Sequence, residues 1–135
     1  MQLIIDANIL FSFFNPRSLR RSLINSLSRT HKLISPEYVF EELLRDKSRI
    51  MKASDIDASD FILFLSFLEM KMVVVPVSEY NSFMKAAEEC APHKKDLPYF
   101  ALALSCNCPI WSDEKAFKTQ SRIKVFSTSE ISKLF

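Results

Sequence analysis

The sequence predicts one α/β domain over residues 1–135, in three α/β/α layers on a mainly parallel sheet of four to five strands. Three observations predict it. Short apolar runs at LII (3–5), KLI (32–34), MVVVPV (72–77), PIW (109–111) and KVF (124–126) lack polar alternation, as strands covered on both faces require. Helical segments separate these runs, and such alternation favours parallel pairing through right-handed crossovers. The 135 residues suit one core, and 48% apolar with 25% charged residues is a globular composition.

Each element has a local reason. LII is a buried strand that stops at Asp6. SLRRSLINSLS (18–28) carries Leu19, Leu23 and Leu27 at helical spacing. After KLI, Ser35-Pro36-Glu37 offers a cap, a first-turn proline and an early acid, which predicts a helix through VFEELL to about Asp46. SDIDASDF (54–61) opens a further helix that ends near Met70. Pro76 puts MVVVPV near a strand end or a sheet edge. Ser78 is placed to cap a helix through Cys90, and Asp96 to cap one through Ser105 with Pro98 in its first turn. PIW and KVF are the last strands, and a short helix closes the chain.

Composition excludes several functions. The chain contains no glycine, so neither a Walker A loop nor a dinucleotide-binding turn can form, and no nucleotide cofactor is expected. The apolar stretch 61–77 is cut by Glu69 and Lys71 into pieces too short to span a membrane. MQLIID has no secretory leader, so a soluble cytoplasmic protein is expected. Cys90, Cys106 and Cys108 read as reduced, buried thiols. A net charge of +2 is too small to name a partner.

The acids do carry information. Asp6 follows strand 3–5, and Asp113 and Glu114 follow strand 109–111, so both groups lie at the carboxyl edge of the sheet. A helix after a strand starts at that same edge, which brings Glu41, Glu42 and Asp96 there. Singly, each acid has a plainer role as strand terminator, helix cap or solvated face. Helical spacing leaves Glu41 and Glu42 undecided, since they border the apolar stripe on opposite sides. Together, clustered carboxylates repel one another, and a hard divalent cation such as Mg²⁺ relieves that repulsion. Such an ion polarises phosphate and acidifies water. Asn8 is placed to add an oxygen or to orient an acid. His31 precedes a strand, on the wrong edge for this rim, and His93 sits in the loop before Asp96. No glycine-flanked nucleophile elbow exists for a serine mechanism.

LIIDANIL, SPEYVFEELL and KKDLPYFALALSCNCPIWSDEKAF, in this order and spacing, resemble the PIN-domain nucleases, which include VapC-type ribonuclease toxins. The resemblance covers almost the whole chain and is weakest between about 46 and 71. It implies a PIN-like fold and a metal-dependent endoribonuclease that uses Mg²⁺ or Mn²⁺, with Asp6 as the first acid and Asn8 as its polar companion. It selects Glu42 over Glu41 and makes Asp96 the third acid. The last motif departs from the family pattern: counted back from Phe117, its positions hold Ser112, Glu114 and Ala116, with Asp113 one place early. The fourth acid is therefore Glu114 or Asp113. The resemblance further implies a homodimer and a small neutralising antitoxin protein.

Basic residues beside these motifs are candidates for holding the RNA backbone. They are Arg17, Arg20 and Arg21 after the Asp6 loop, Lys94 and Lys95 before Asp96, and Lys115 with Lys118 after Asp113. Phe11, Phe13 and Phe14 read as core rather than as a stacking platform. Two rival functions remain: a PIN-like module that binds RNA or protein without cutting, favoured by the irregular SDEKA motif, and a phosphotransferase with Asp6 as nucleophile.

Overall fold

A computed structural model describes all of residues 1–135. LII is apolar throughout because β1 (Gln2–Ile5) lies in the middle of the sheet, where Leu3, Ile4 and Ile5 are fully buried. It pairs with β2 (Lys32–Pro36) on one side and β4 (Ile110–Trp111) on the other. β3 (Met72–Val75) and β5 (Val125–Phe126) form the edges, giving the order β3-β2-β1-β4-β5. All four pairings are parallel. Helices flank this sheet, and 33 buried residues form one core cluster. The strand order reverses between β1 and β4, and the crevice beyond their carboxyl ends is where open parallel sheets receive ligands.

The helices are α1 (Ala7–Phe11), α2 (Leu19–Leu27), α3 (Val39–Arg45), α4 (Lys47–Ser54), α5 (Ala58–Lys71), α6 (Met84–Ala87), α7 (Leu97–Cys106) and α8 (Thr128–Leu134). Several depart from the sequence reading. Ser35 and Pro36 do not start a helix; they extend β2 and pair with Val74 and Val75. The Ser35 hydroxyl donates to the Ile5 carbonyl at 2.7 Å instead of capping. The helix starts later, at Val39, and Asp46 separates it from α4. The expected helix 78–90 is mostly single turns, with only Met84–Ala87 α-helical. Here the Val77 N–H donates to the Glu37 carboxylate at 2.9 Å, which ties the segment to the end of β2. α5 starts with a reciprocal capping box between Asp57 and Asp60.

Without glycine, left-handed backbone falls to Asp55 (φ 54°) and Asn107 (φ 55°), residue types whose short polar side chains tolerate it. Asn107 ends α7, and the cysteines on either side of it, Cys106 and Cys108, are joined in a disulfide. This corrects the expectation of three reduced thiols: only Cys90 is free, and it is half-buried. No helix is long and apolar enough to cross a membrane.

Candidate metal centre

Asp6 leaves β1 with extended backbone (φ −66°, ψ 144°), and its carbonyl accepts the first turn of α1. Its side chain caps nothing. One carboxylate oxygen, Oδ2, accepts from the Ser112 hydroxyl at 2.8 Å, and the Ser112 oxygen accepts the Glu114 N–H at 3.1 Å. Ser112 follows β4, so adjacent parallel strands deliver Asp6, Ser112 and Glu114 together. Asn8 donates its side-chain N–H to Glu114 Oε1 at 2.9 Å, so the amide orients Glu114 rather than an aspartate.

Asp96 precedes α7 but does not cap it with its side chain. It is 7% exposed, and its Oδ2 is buried without a hydrogen-bond partner. A buried carboxylate oxygen with no donor is costly unless something neutralises it. Tyr99, one helical turn on, is likewise buried with an unpartnered hydroxyl.

Asp6, Glu42, Asp96 and Glu114 line one cleft of about 680 Å³, together with Asn8 and Tyr99. Burial, with Asp96 and Glu114 adjacent, pushes the Asp6 carboxyl up to about 6, against the Ser112 hydrogen bond. Burial also raises Glu42, helped by Asp6. Asp96 is raised by burial although Lys95 and His93 oppose it. Burial raises the Tyr99 hydroxyl well above its usual value, and the charges of Glu42, Asp6 and Asp96 add to this. Glu41 reaches the cleft too, but on exposed surface.

Asp113 lies elsewhere. It accepts from the Thr128 amide and hydroxyl and pairs with Arg20. Burial alone would raise its carboxyl, but the Thr128 and Arg20 contacts outweigh this and hold it below the ordinary range. Thr128 in turn accepts the Trp111 indole N–H at 3.0 Å. Asp113 therefore fastens α8 and α2 to β4, and Glu114 is the acid of this pair that faces the cleft.

The basic residues are redistributed in the same way. Lys95 lines the cleft; Arg17, Lys94 and Lys115 do not. Arg20 is paired with Asp113, and Arg21 lies over the Phe13 and Phe64 rings. Arg45, Arg49 and His93 line the cleft as well, so its fixed cations are Lys95, Arg45 and Arg49. Spacing could have revealed part of this: Arg45 lies three residues from Glu42 on α3, and Tyr99 three from Asp96, whereas Arg49 stands on α4 beyond the break at Asp46.

The donor set suits a hard cation: carboxylates, an orphaned oxygen on Asp96 and mutual repulsion. No group of three or more acid, histidine or cysteine side chains is placed to hold a metal ion. Mg²⁺ is commonly held by one or two carboxylates and several waters.

A family model described as PIN domain matches residues 4–133. The chain belongs to the PIN-domain family. Among solved structures, this PIN domain is similar to a chain of VapBC2 from Rickettsia felis bound to a DNA fragment from its promoter. The two share 14% identity at a TM-score of 0.68, covering 94% of this chain and 98% of that chain, a likeness of fold. No curated protein sequence matches this PIN domain.

Proposed function

We propose that this PIN domain is a metal-dependent endoribonuclease, acting as the toxin of a toxin–antitoxin pair. The observation that carries the reading is the meeting of Asp6, Glu42, Asp96 and Glu114 in one cleft, from four separate parts of the chain. Asp6, Asp96 and Glu114 would hold Mg²⁺ or Mn²⁺, with Glu42 beside them. The ion, when bound, supplies Lewis-acid polarisation of a phosphodiester and a lowered pKa for water.

The chain's own residues do the rest. Ser112 fixes one oxygen of Asp6 at the cleft. Asn8 holds Glu114 in place. The raised carboxyl of Glu42 suits it to take a proton from the attacking water. Arg45, Arg49 and Lys95, which line the same cleft, would give the anionic RNA backbone its cationic contacts.

The PIN-domain family supports nuclease chemistry, and the VapBC2 likeness supports an antitoxin partner. Self-association is part of the reading. Ile62, Leu63, Phe67 and Met70 of α5 and Val73 and Val74 of edge strand β3 are exposed, an apolar surface of the kind a second copy covers. The test is cleavage of RNA with Mg²⁺ or Mn²⁺. Cutting that persists in excess chelator, or in the Asp6→Asn/Asp96→Asn variant, overturns the mechanism. Calorimetry with Mn²⁺ separates it from a non-cutting binding module, which would take up no ion at this site.

A further inference from the structure

Phe11 and Arg49 line the acid cleft and also a second cavity of about 270 Å³. They form the wall that the two spaces share. The Arg49 guanidinium lies 5.1 Å from the Phe11 ring centroid, while its side chain stays 67% exposed and touches Asp46 at 3.2 Å. It is therefore a flat cation backed by an aromatic ring, with its outer face open.

The second cavity is chemically unlike the first. No acid lines it. Three of its polar residues each accept one internal hydrogen bond. The Ser12 hydroxyl oxygen accepts from Arg20, the Ser18 oxygen from the Arg21 amide, and the Asn15 carbonyl oxygen from the Arg17 amide. The donors left to a ligand are the hydroxyls of Ser12, Ser18 and Ser54, the Asn15 side-chain N–H groups, and Arg49. A cavity with one fixed cation, several donors and no carboxylate, beside a carboxylate cluster, suits an acceptor-rich anion one step along a chain.

We propose that this second cavity and the Phe11–Arg49 wall hold the nucleotide next to the cleaved phosphodiester of a single-stranded RNA. Its base stacks on the open face of Arg49, and its phosphate meets the donors of Ser12, Asn15 and Ser18. The strand is single because only an unstacked base can lie on such a platform. The assignment rests on reading the acid cleft as the phosphodiester site.

The test is fluorescence anisotropy with a short fluorescein-labelled single-stranded RNA, in EDTA so that nothing is cut. Arg49→Gln removes the platform from an exposed position. Ser54→Glu places a carboxylate in the second cavity without touching the acid cluster. Each is expected to weaken binding about five- to fiftyfold. Ser82→Glu, exposed and outside both cavities, should bind as the parent does, and the same RNA annealed to its complement should bind at least about tenfold more weakly. Affinities within about twofold of the parent for both Arg49→Gln and Ser54→Glu overturn the proposal, as does equal binding of the duplex. If single-stranded RNA binds with this dependence but no RNA is cut with Mg²⁺ or Mn²⁺, the hydrolase reading fails and the subsite stands. If both variants bind and cut as the parent does, the subsite alone fails.

Discussion

Ser112 donates its hydroxyl to Asp6 at 2.8 Å across 106 positions of sequence, and the same oxygen accepts the Glu114 amide. One buried hydroxyl thus sets the spacing of two acids. Ser112→Ala deletes both contacts. It should cost about 1–2 kcal/mol in urea unfolding and weaken Mn²⁺ binding in calorimetry. Unchanged Mn²⁺ affinity would mean that Ser112 only supports the strand end.

Asp6 gives a pH signature in metal-free protein. Its folded pKa of about 6 lies above the ordinary 3.8, so between these values the folded state holds the proton that the unfolded chain has released. Its contribution to stability is therefore present below about pH 4 and lost as pH rises through 6. Asp6→Asn removes that loss. In EDTA at pH 8 the variant should be more stable than the parent by about 1–3 kcal/mol, with the difference closing towards pH 4. Denaturant melts over this range check it; a variant no more stable at pH 8 refutes the strained carboxylate.

Metal addition should reverse the same penalty. With Mn²⁺ at about a hundredfold over its dissociation constant, binding stabilises the fold by about 2.7 kcal/mol, or a melting shift of roughly 8 °C. EDTA should abolish the shift, and Asp6→Asn should show little of it. A parent protein that melts identically with Mn²⁺ and with EDTA has no such centre.

The neighbouring acids Asp113 and Glu114 should separate cleanly. Asp113→Asn loosens the Thr128 and Arg20 contacts, costing about 1 kcal/mol of stability while leaving RNA cleavage near the parent rate. Glu114→Gln should leave stability nearly unchanged and lower cleavage at least about tenfold. The reverse pattern would make Asp113 the acid that serves the cleft.

Self-association through α5 and β3 can be measured directly. Met70 is 84% exposed and Ile62 59%, so Ile62→Glu/Met70→Glu should fold as the parent does. In sedimentation the parent should be a dimer and the variant a monomer. A monomeric parent leaves that face to another partner.

Much of the fold could be read from the residues. The unalternating runs at 3–5 and 32–34 are buried parallel strands, and Asp6 and Glu114, beyond β1 and β4, line one cleft while Asp113 does not. Ser35-Pro36 misled because cap chemistry is local, whereas pairing with β3 is not; the non-local contact kept these residues extended. Asp113 and Glu114 were indistinguishable for a similar reason. Only the fold brings Thr128 and Arg20 to one of them and Asn8 to the other. Helical spacing from Glu42 marks Arg45, but Arg49 sits on the next helix, where spacing along one helix does not reach it.

The central place of β1 bears on the order in which the cleft can be completed. The first strand synthesised is flanked on one side by β4, whose residues are among the last to emerge, and Glu114 comes with them. A nascent chain still lacking that segment has Asp6, Glu42 and Asp96 but neither Ser112 nor Glu114 to complete the cluster. Completion of the acid cluster thus waits until β4 and the residues that follow it have been made.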